Sequence, residues 1–372
     1  MSQQNIKIIV LVLLGILAVV MLFLAAFQYF KPERMSAPSG EENAAVTDDP
    51  ASTLYISEDA GETWRGITDA RFTPYHIVFE PERDKLLIGT QESGVWELTS
   101  DKPWHLQKGE RGNALPENAA VFDLAVSAHK KPAVYAAAKY GDQGYLVSLE
   151  NPLRELFFAP LEDSPVRVVV IDPFTEQRLF IGSGTGLFES KDQGGTWKAA
   201  HRFKQPIMDV ILHPHVPGLL FVSTSKGEVF QSSDDGKTWK DLSRGFSRIR
   251  GSREHQRLHS DPASGILYLT SDHGLLASED DGVTWNDIPL IVPPDSLPVT
   301  GFAVHPARHT TFYISAGNQL YKSTDGGDTW KGIRFPEKGS ITVIALHPKN
   351  PDMIVLGFAP PSSRSGIFNF SR

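Results

Sequence analysis

An eight-residue pattern, Ser-x-Asp-x-Gly-x-Thr-Trp, occurs five times in this chain and constrains its fold more than any other feature. The copies are SEDAGETW at 57–64, SKDQGGTW at 190–197, SSDDGKTW at 232–239, SEDDGVTW at 278–285 and STDGGDTW at 323–330. Each reads as a tight hairpin. Gly supplies the positive φ of a sharp turn, and Ser, Asp and Thr carry short side chains suited to bonding the turn's own backbone. The Trp opens the outgoing strand and offers a large apolar face to a neighbouring unit. Asp59, Asp192, Asp234, Asp280 and Asp325, with Trp64, Trp197, Trp239, Trp285 and Trp330, are therefore expected to be structural, the five Trp largely buried between blades.

The spacing counts the units. The leading Ser residues stand at 57, 190, 232, 278 and 323, so the last three gaps are 42, 46 and 45 and the first, 133, is about three such units. Two degenerate units fill that first gap. Gly94-Val95-Trp96-Glu97-Leu98 aligns with Gly186-Leu187-Phe188-Glu189-Ser190 and leads to Asp101 and Trp104 in a shortened turn. Gly144-Tyr145-Leu146-Val147-Ser148 opens the other, whose turn is replaced by Asn151-Pro152. Earlier in each unit an apolar strand ends in a turn, as in Val170-Ile171-Asp172-Pro173, Ile211-Leu212-His213-Pro214 and Ala345-Leu346-His347-Pro348, and a β-rich strand follows.

Four short strands per 42–46 residues is the signature of propeller blades. The fold class is all-β, a seven-bladed β-propeller over residues 52–372. Only Thr53–Ile56 precedes the first turn, whereas Ile341–Leu346 and Met353–Phe358 follow the last. One blade built from both ends of the domain closes the ring and removes its exposed edge. Gly366–Phe370 matches the same blade position as Thr53–Ile56, and an eight-bladed ring is the alternative.

Ahead of the repeats, Ile8–Phe30 is a 23-residue run broken only by Gly15 and Gln28. It is long enough to span a bilayer, and Leu24 at −3 fits poorly with a cleavage after Ala26. Residues 1–30 are thus expected to be a short cytoplasmic tip and a single transmembrane helix. Residues 31–51, rich in Ala, Ser, Pro, Glu and Asp, read as a flexible linker. Lys7 on one side and Lys31 and Arg34 on the other leave the positive-inside count close to balanced.

A net charge of −8 argues against nucleic acid as a partner, and the absence of Cys excludes disulfides, thiolate zinc sites, a Cys nucleophile and a lipid-anchoring Cys. No motif calls for a cofactor. The Asp-rich turns lack the ligands of a calcium loop, since Asp234 is followed eleven residues later by Gly245, not Glu. His213, His305 and His347 occupy one position in three units, which spreads them round a ring and suits turn capping better than a metal site. No catalytic set emerges from spacing. The exception to the acidic background is Arg244, Arg248, Arg250, Arg253 and Arg257, a net +4 over fourteen residues linking two blades. Five Arg and no Lys point to a surface for an acidic segment or a terminal carboxylate, because the guanidinium fork binds such groups bidentately.

The five repeats resemble the Asp-box, or BNR repeat, of sialidases and related propellers. A sialidase would need an arginine triad and a Tyr/Glu/Asp set, and Arg334-Phe335-Pro336 is a faint echo of that family's Arg-Ile-Pro motif. With its domain size and seven units, the chain is most similar to the photosystem II assembly and stability factors. That resemblance implies a non-enzymatic scaffold gripping a segment of a membrane protein, on the periplasmic side of the cell inner membrane and here single-pass. A glycan-hydrolysing or glycan-binding propeller is the alternative.

Overall fold

β-Branched and aromatic runs, cut at short intervals by Gly-, Asp- and Pro-containing turns, have the composition of strands too short to form anything but small sheets. The computed structural model describes residues 52–359 and the backbone of Ala45–Thr47, apart from loop residues 68–69, 81–84, 100–103, 109–114, 117, 128–132, 151–153, 160–163, 293–297 and 337–338. The apolar run at 8–30, the rest of the connecting stretch before 52, Asp101, the Asn151-Pro152 turn and the strand expected at 366–370 lie outside the described residues. Among the described residues no helix is long and apolar enough to cross a membrane.

The strands form seven sheets. The first blade takes β1 (Ala45–Thr47), β2 (Leu54–Ser57) and β3 (Thr63–Gly66) from the start of the domain. The second is β4–β7 (Pro74–Glu80, Lys85–Thr90, Val95–Thr99, His105–Gln107) and the third β8–β11 (Ala120–Val126, Val134–Tyr140, Gln143–Ser148, Arg154–Phe158). The fourth is β12–β15 (Val166–Ile171, Leu179–Ser183, Gly186–Ser190, Lys198–Arg202) and the fifth β16–β19 (Ile207–Leu212, Leu220–Thr224, Val229–Ser232, Lys240–Asp241). The sixth is β20–β23 (Arg257–Ser260, Leu267–Thr270, Leu275–Ser278, Asn286–Ile288) and the seventh β24–β27 (Gly301–His305, Arg308–Ala316, Gln319–Ser323, Lys331–Arg334). β28 (Ser340–Leu346) and β29 (Ile354–Ala359) then return to complete the first blade, in the order β1-β3-β2-β29-β28.

The ring closes as the strand count required. Leu54 pairs with Gly357, Tyr55 with Leu356, Ile56 with Val355 and Ser57 with Ile354. One strand was not foreseen. Within the stretch assigned to the linker, Ala45–Thr47 runs parallel to Thr63–Arg65 as a fifth, outermost strand.

The first strands of the blades neighbour one another around the axis, from β24 through β28, β4, β8, β12 and β16 to β20. Apart from the parallel β1, the strands of each blade pair antiparallel, so every inner strand begins at the same end of the ring. The loops between blades lie at that end, the entry face. The Asp-box hairpins, between third and fourth strands, lie at the other, the box face.

Seven apolar cores alternate with the seven sheets. Between the fourth and fifth blades, for example, Val168, Phe180 and Leu187 meet Phe203, Ile207, Val210 and Val222. Burying one such side chain is worth about 1.5–3 kcal/mol, so stability resides in contacts between blades. The approach is close at one repeated place. A Cβ on Gly89 or Gly182 would come within 2.8 Å of Val121 or Ile207 of the next blade.

Candidate functional site

The Asp-box is a closed hydrogen-bond circuit. In the first copy Ser57 Oγ donates to Asp59 Oδ1 at 2.8 Å and accepts the Gly61 N–H at 2.8 Å. The Thr63 N–H and Oγ1–H donate to the two oxygens of Asp59 at 2.9 and 2.6 Å, and the Trp64 indole N–H to Gly61 O at 3.0 Å. The circuit recurs at Asp192, Asp234, Asp280 and Asp325. Gly is not the only residue with positive φ. The residue before it shares the left-handed region, as in Ala60 (59°), Gln193 (57°), Asp235 (66°) and Asp281 (58°). That conformation costs a residue with a Cβ free energy, which the circuit offsets. Hydrogen bonds from the Thr238 side chain and backbone hold the Asp234 carboxyl down at about 2, and Thr329 does the same for Asp325. With both carboxylate oxygens engaged, these Asp residues fix turns.

Each Asp-box Trp packs on the outer strand of the preceding blade or the residues just after it, but to different depths. Trp64, against Phe335 at 5.3 Å, and Trp285, against Phe246 at 5.8 Å, are 1% and 8% exposed. Trp197, Trp239 and Trp330 are less deeply enclosed and only partly buried. Trp197 and Trp330 also donate to carbonyls of the preceding blade, Leu156 and Pro289, both at 2.8 Å. That places the indole over the strand's rim, with part of it in water.

The box face also carries the His turns. Nδ1 of His213 accepts the N–H groups of His215 and Val216, and His305 and His347 cap their turns in the same way. Asp172 does so with its carboxylate. A shallow cleft between the fourth and fifth blades is lined by Arg178, Glu189, Lys198 and Asp235. Its Arg178 donates to Glu189 at 2.6 Å, Asp235 at 2.7 Å and Asp172 at 3.2 Å, and is 12% exposed. It is a brace between blades.

The entry face is different. The connection from β19 to β20 carries the Arg cluster on a segment with its own core: Leu242, Phe246, Ser252 and Gln256 are buried. A short 3-10 turn at Ser243–Gly245 starts it, Ser252 Oγ donates to Phe246 O at 3.0 Å, and Gln256 Nε2 to Ser252 O at 2.9 Å. Arg244, Arg248, Arg250 and Arg253 are exposed on this loop. Arg257 parts from them. It begins the inner strand β20, and its Nε donates to Asp209 Oδ1 at 2.8 Å.

Arg257 thereby joins a second constellation, at the mouth of the central channel, that sequence reasoning missed. Most inner strands start with a bulge, and its extra residue is Tyr75 in β4, Phe122 in β8, Arg167 in β12 and Met208 in β16. The Tyr75 and Phe122 rings stack at 5.6 Å and 15°, and the Arg167 guanidinium lies 5.1 Å from the Phe122 centroid. Burial lowers the Arg167 pKa, and the positive charge of Arg257 lowers it further. Below, His259 is depressed to about 4, by burial first, with Arg257 adding to the effect against the opposing charge of Asp209.

The mouth's carboxylates are spent on structure. Asp123 Oδ2 accepts the Val169 N–H at 2.9 Å and Oδ1 the Leu124 N–H at 2.9 Å. Asp209 accepts Ser223 Oγ–H at 2.7 Å and the Leu258 N–H at 3.1 Å besides Arg257. These side chains satisfy backbone N–H groups across blade boundaries. The signal was present in the sequence: counting five residues back from Glu80, Ser127, Asp172 and His213 gives Tyr75, Phe122, Arg167 and Met208.

The fold and its turns define the class: an all-β, seven-bladed β-propeller with Asp-boxes. Residues 273–364 match the sequence family described as "Sortilin, neurotensin receptor 3". A xyloglucanase of Hypocrea jecorina (strain QM6a) is 29% identical over 129 residues, covering 32% of this chain and 15% of that protein. Among solved structures, a xyloglucanase of glycoside hydrolase family 74 from Xanthomonas campestris superposes with a TM-score of 0.60 at 18% identity, over 77% of this chain and 51% of that one. YCF48 bound to a D1 peptide superposes with a TM-score of 0.56 at 12% identity, over 85% of this chain and 99% of that one. YCF48 from Cyanidioschyzon merolae gives 0.56 at 13%, over 77% and 95%. The chain thus spans at most about half the length of the xyloglucanases it matches, and nearly all of YCF48.

Proposed function

We propose that this chain is a non-enzymatic scaffold that binds a protein partner on its entry face and serves as an assembly or stability factor for a membrane or envelope complex. The observation that carries the reading is the composition of that face. Four exposed Arg sit on one packed loop, and Tyr140 and Phe158, 42% and 51% exposed, end strands of the third blade on the same side. Exposed aromatics and guanidinium groups on one face are the anchors of protein interfaces. Asp123 and Asp209, held by structural donors, are poorly placed to act as the acid and base of a glycosidase. A D1 peptide on YCF48, a propeller of similar span, supports the choice of a peptide segment. In this reading residues 8–30 anchor the chain in the inner membrane as a single pass and residues 31–51 tether the propeller, displayed on the periplasmic side.

The test is affinity capture by the full-length chain from solubilised membranes, with Glu in place of Arg244, Arg248, Arg250 and Arg253. A partner held by wild type should be lost by the variant, and salt should weaken its capture, since exposed charge pairs are screened. An unchanged partner list from a folded variant would defeat the proposal. The stacked Tyr75–Phe122 pair and the xyloglucanase similarity favour a second reading, glycan binding. Calorimetric titration with xyloglucan oligosaccharides tests it: saturable heat abolished by Tyr75→Ala would establish it over the first.

A further inference from the structure

The outer edges of the blades are protected in two ways. β7, β11, β15, β19, β23 and β27 each end their sheet with no strand beyond them among the described residues. An open edge is a template for another strand unless it is short or charged. β7, β19 and β23 have only three, two and three residues. β11, β15 and β27 are longer but carry Arg154 with Glu155, Lys198 with Arg202, and Lys331 with Arg334. β3 has neither protection: it reads Thr63-Trp64-Arg65-Gly66, with a single charge, and the chain covers it with β1 instead. The cover is slight. It is three residues long and parallel, pairing Ala45 with Thr63, Val46 with Trp64 and Thr47 with Arg65. Parallel pairing is the weaker kind, and fixing three residues cancels most of what a few exposed hydrogen bonds contribute. The short connection to β2, residues 48–53, holds β1 in place by keeping it at an effective concentration on the order of millimolar.

We propose that the edge of β3 is a strand-addition site for an extended segment of a partner protein, with Ala45–Thr47 as its built-in and displaceable occupant. A partner strand that pairs along Gly66 as well as Thr63–Arg65 makes more backbone bonds than β1 does, and its side chains at alternate positions supply specificity. The residue opposite Trp64 shares the sheet face that packs on the seventh blade, where Phe335 lies 5.3 Å from the Trp64 ring. An apolar residue belongs there. The next residue lies opposite Arg65, which is exposed and makes no hydrogen bond or ion pair among the described residues. Glu62, on the same hairpin, is held by Lys331 at 3.2 Å and Lys322 at 3.5 Å. Arg65 is thus left for an acidic side chain. The partner segment carries an apolar residue followed directly by Asp or Glu, and β1, with Thr47 at the second position, fits only in part. This site is on the outer rim of the first blade and does not depend on the entry-face reading. Filling it returns Ala45–Thr47 to the linker, so partner binding and linker length are coupled.

The experiment uses the full-length chain in detergent and a fluorescein-labelled peptide with the sequence of residues 43–49, Asn-Ala-Ala-Val-Thr-Asp-Asp. Ala45→Pro combined with Val46→Pro removes two successive N–H groups, one of which faces β3 in either phase of the ladder, and so empties the edge. Fluorescence anisotropy should report saturable binding to this variant and about tenfold weaker binding to wild type, where the tethered strand competes. The Thr47→Glu peptide should bind about threefold more tightly, as an exposed ion pair allows, and Arg65→Ala in the protein should erase that gain. A peptide of the same residues in reverse order should not bind. In wild type, Ala45–Thr47 should exchange amide hydrogens about a hundredfold faster than the β2–β29 seam, and excess Thr47→Glu peptide should speed their exchange further. Equal affinity for variant and wild type, equal binding of the reversed peptide, or no saturation at millimolar peptide would overturn the site. Protection of Ala45–Thr47 equal to that of the seam and unmoved by excess peptide would overturn displacement and make β1 a fixed fifth strand.

Discussion

If the Asp-box Trp residues act through the blade interface, the cost of removing one should follow the depth at which it sits. Trp64 is 1% exposed, edge-on to Phe335 at 5.3 Å, and its N–H donates to Gly61 O at 3.0 Å. Trp64→Ala removes a core indole for about 3–5 kcal/mol and an aromatic pair for about 1 kcal/mol more, so a loss of about 4–6 kcal/mol is expected. Trp330 makes the same bond to Gly327 O and another to Pro289 O, but is only partly buried. Water already covers part of its ring, and Trp330→Ala should cost about half as much, roughly 2–3 kcal/mol. Urea unfolding followed by far-ultraviolet circular dichroism measures both, with stability read from the midpoint if the slope is unchanged. Trp64→Phe should recover much of the loss, because an aromatic face is retained against Phe335. Equal losses for the two Ala variants, or a larger one at Trp330, would refute interface depth as the cause and make the hairpin circuit alone responsible.

Acid should dismantle the ring in two stages. His213 and His305 have lowered pKa values, mainly through burial, so their stabilisation is complete above about 6.5 and is lost as pH falls below it. Asp234 and Asp325, held at about 2, contribute stability above the usual carboxylate value that fades between about pH 4 and pH 2; a pH series of thermal midpoints that is flat below pH 6 contradicts both assignments. Arg178→Ala leaves Asp172, Glu189 and Asp235 facing one another and should cost about 3–5 kcal/mol by urea titration, with Lys a poor rescue. A chain ending at Pro336 lacks β28 and β29 and should be insoluble or molten; cooperative unfolding at wild-type stability would disprove closure through the first blade. Residues 8–30 should keep the product in the membrane pellet after carbonate extraction, and a soluble product beginning near Phe27 would show a cleaved signal instead.

The blade count was legible because Ser, Asp, Gly, Thr and Trp recur at fixed offsets, and each does one job in one turn. Closure was legible from arithmetic on strands, one before the first turn and two after the last. What escaped depends on geometry between distant segments. Trp197 and Trp64 are identical in pattern, and each meets an edge-on Phe of the preceding blade, Phe157 and Phe335, yet they are enclosed to different depths. Tyr75, Phe122 and Arg167 lie roughly 45 residues apart and meet only because each inner strand bulges at its start. Arg257 reads as one of five in a charged run, but a strand begins there and turns it toward Asp209. Ala45–Thr47 has no periodicity to announce a strand.

The seam between Ser57 and Ile354 also sets an order of events during synthesis. The hairpin formed by β2 and β3 leaves the ribosome early, but the strand that completes its sheet is made roughly three hundred residues later. At translation speeds of about 5–20 residues per second the interval is about 15–60 seconds. Throughout it Tyr55 and Trp64, which end up among the most deeply enclosed side chains, have neither Phe335 nor Phe358 to cover them. The first blade begun is the last one finished, and the nascent chain needs protection there for longer than anywhere else in the ring.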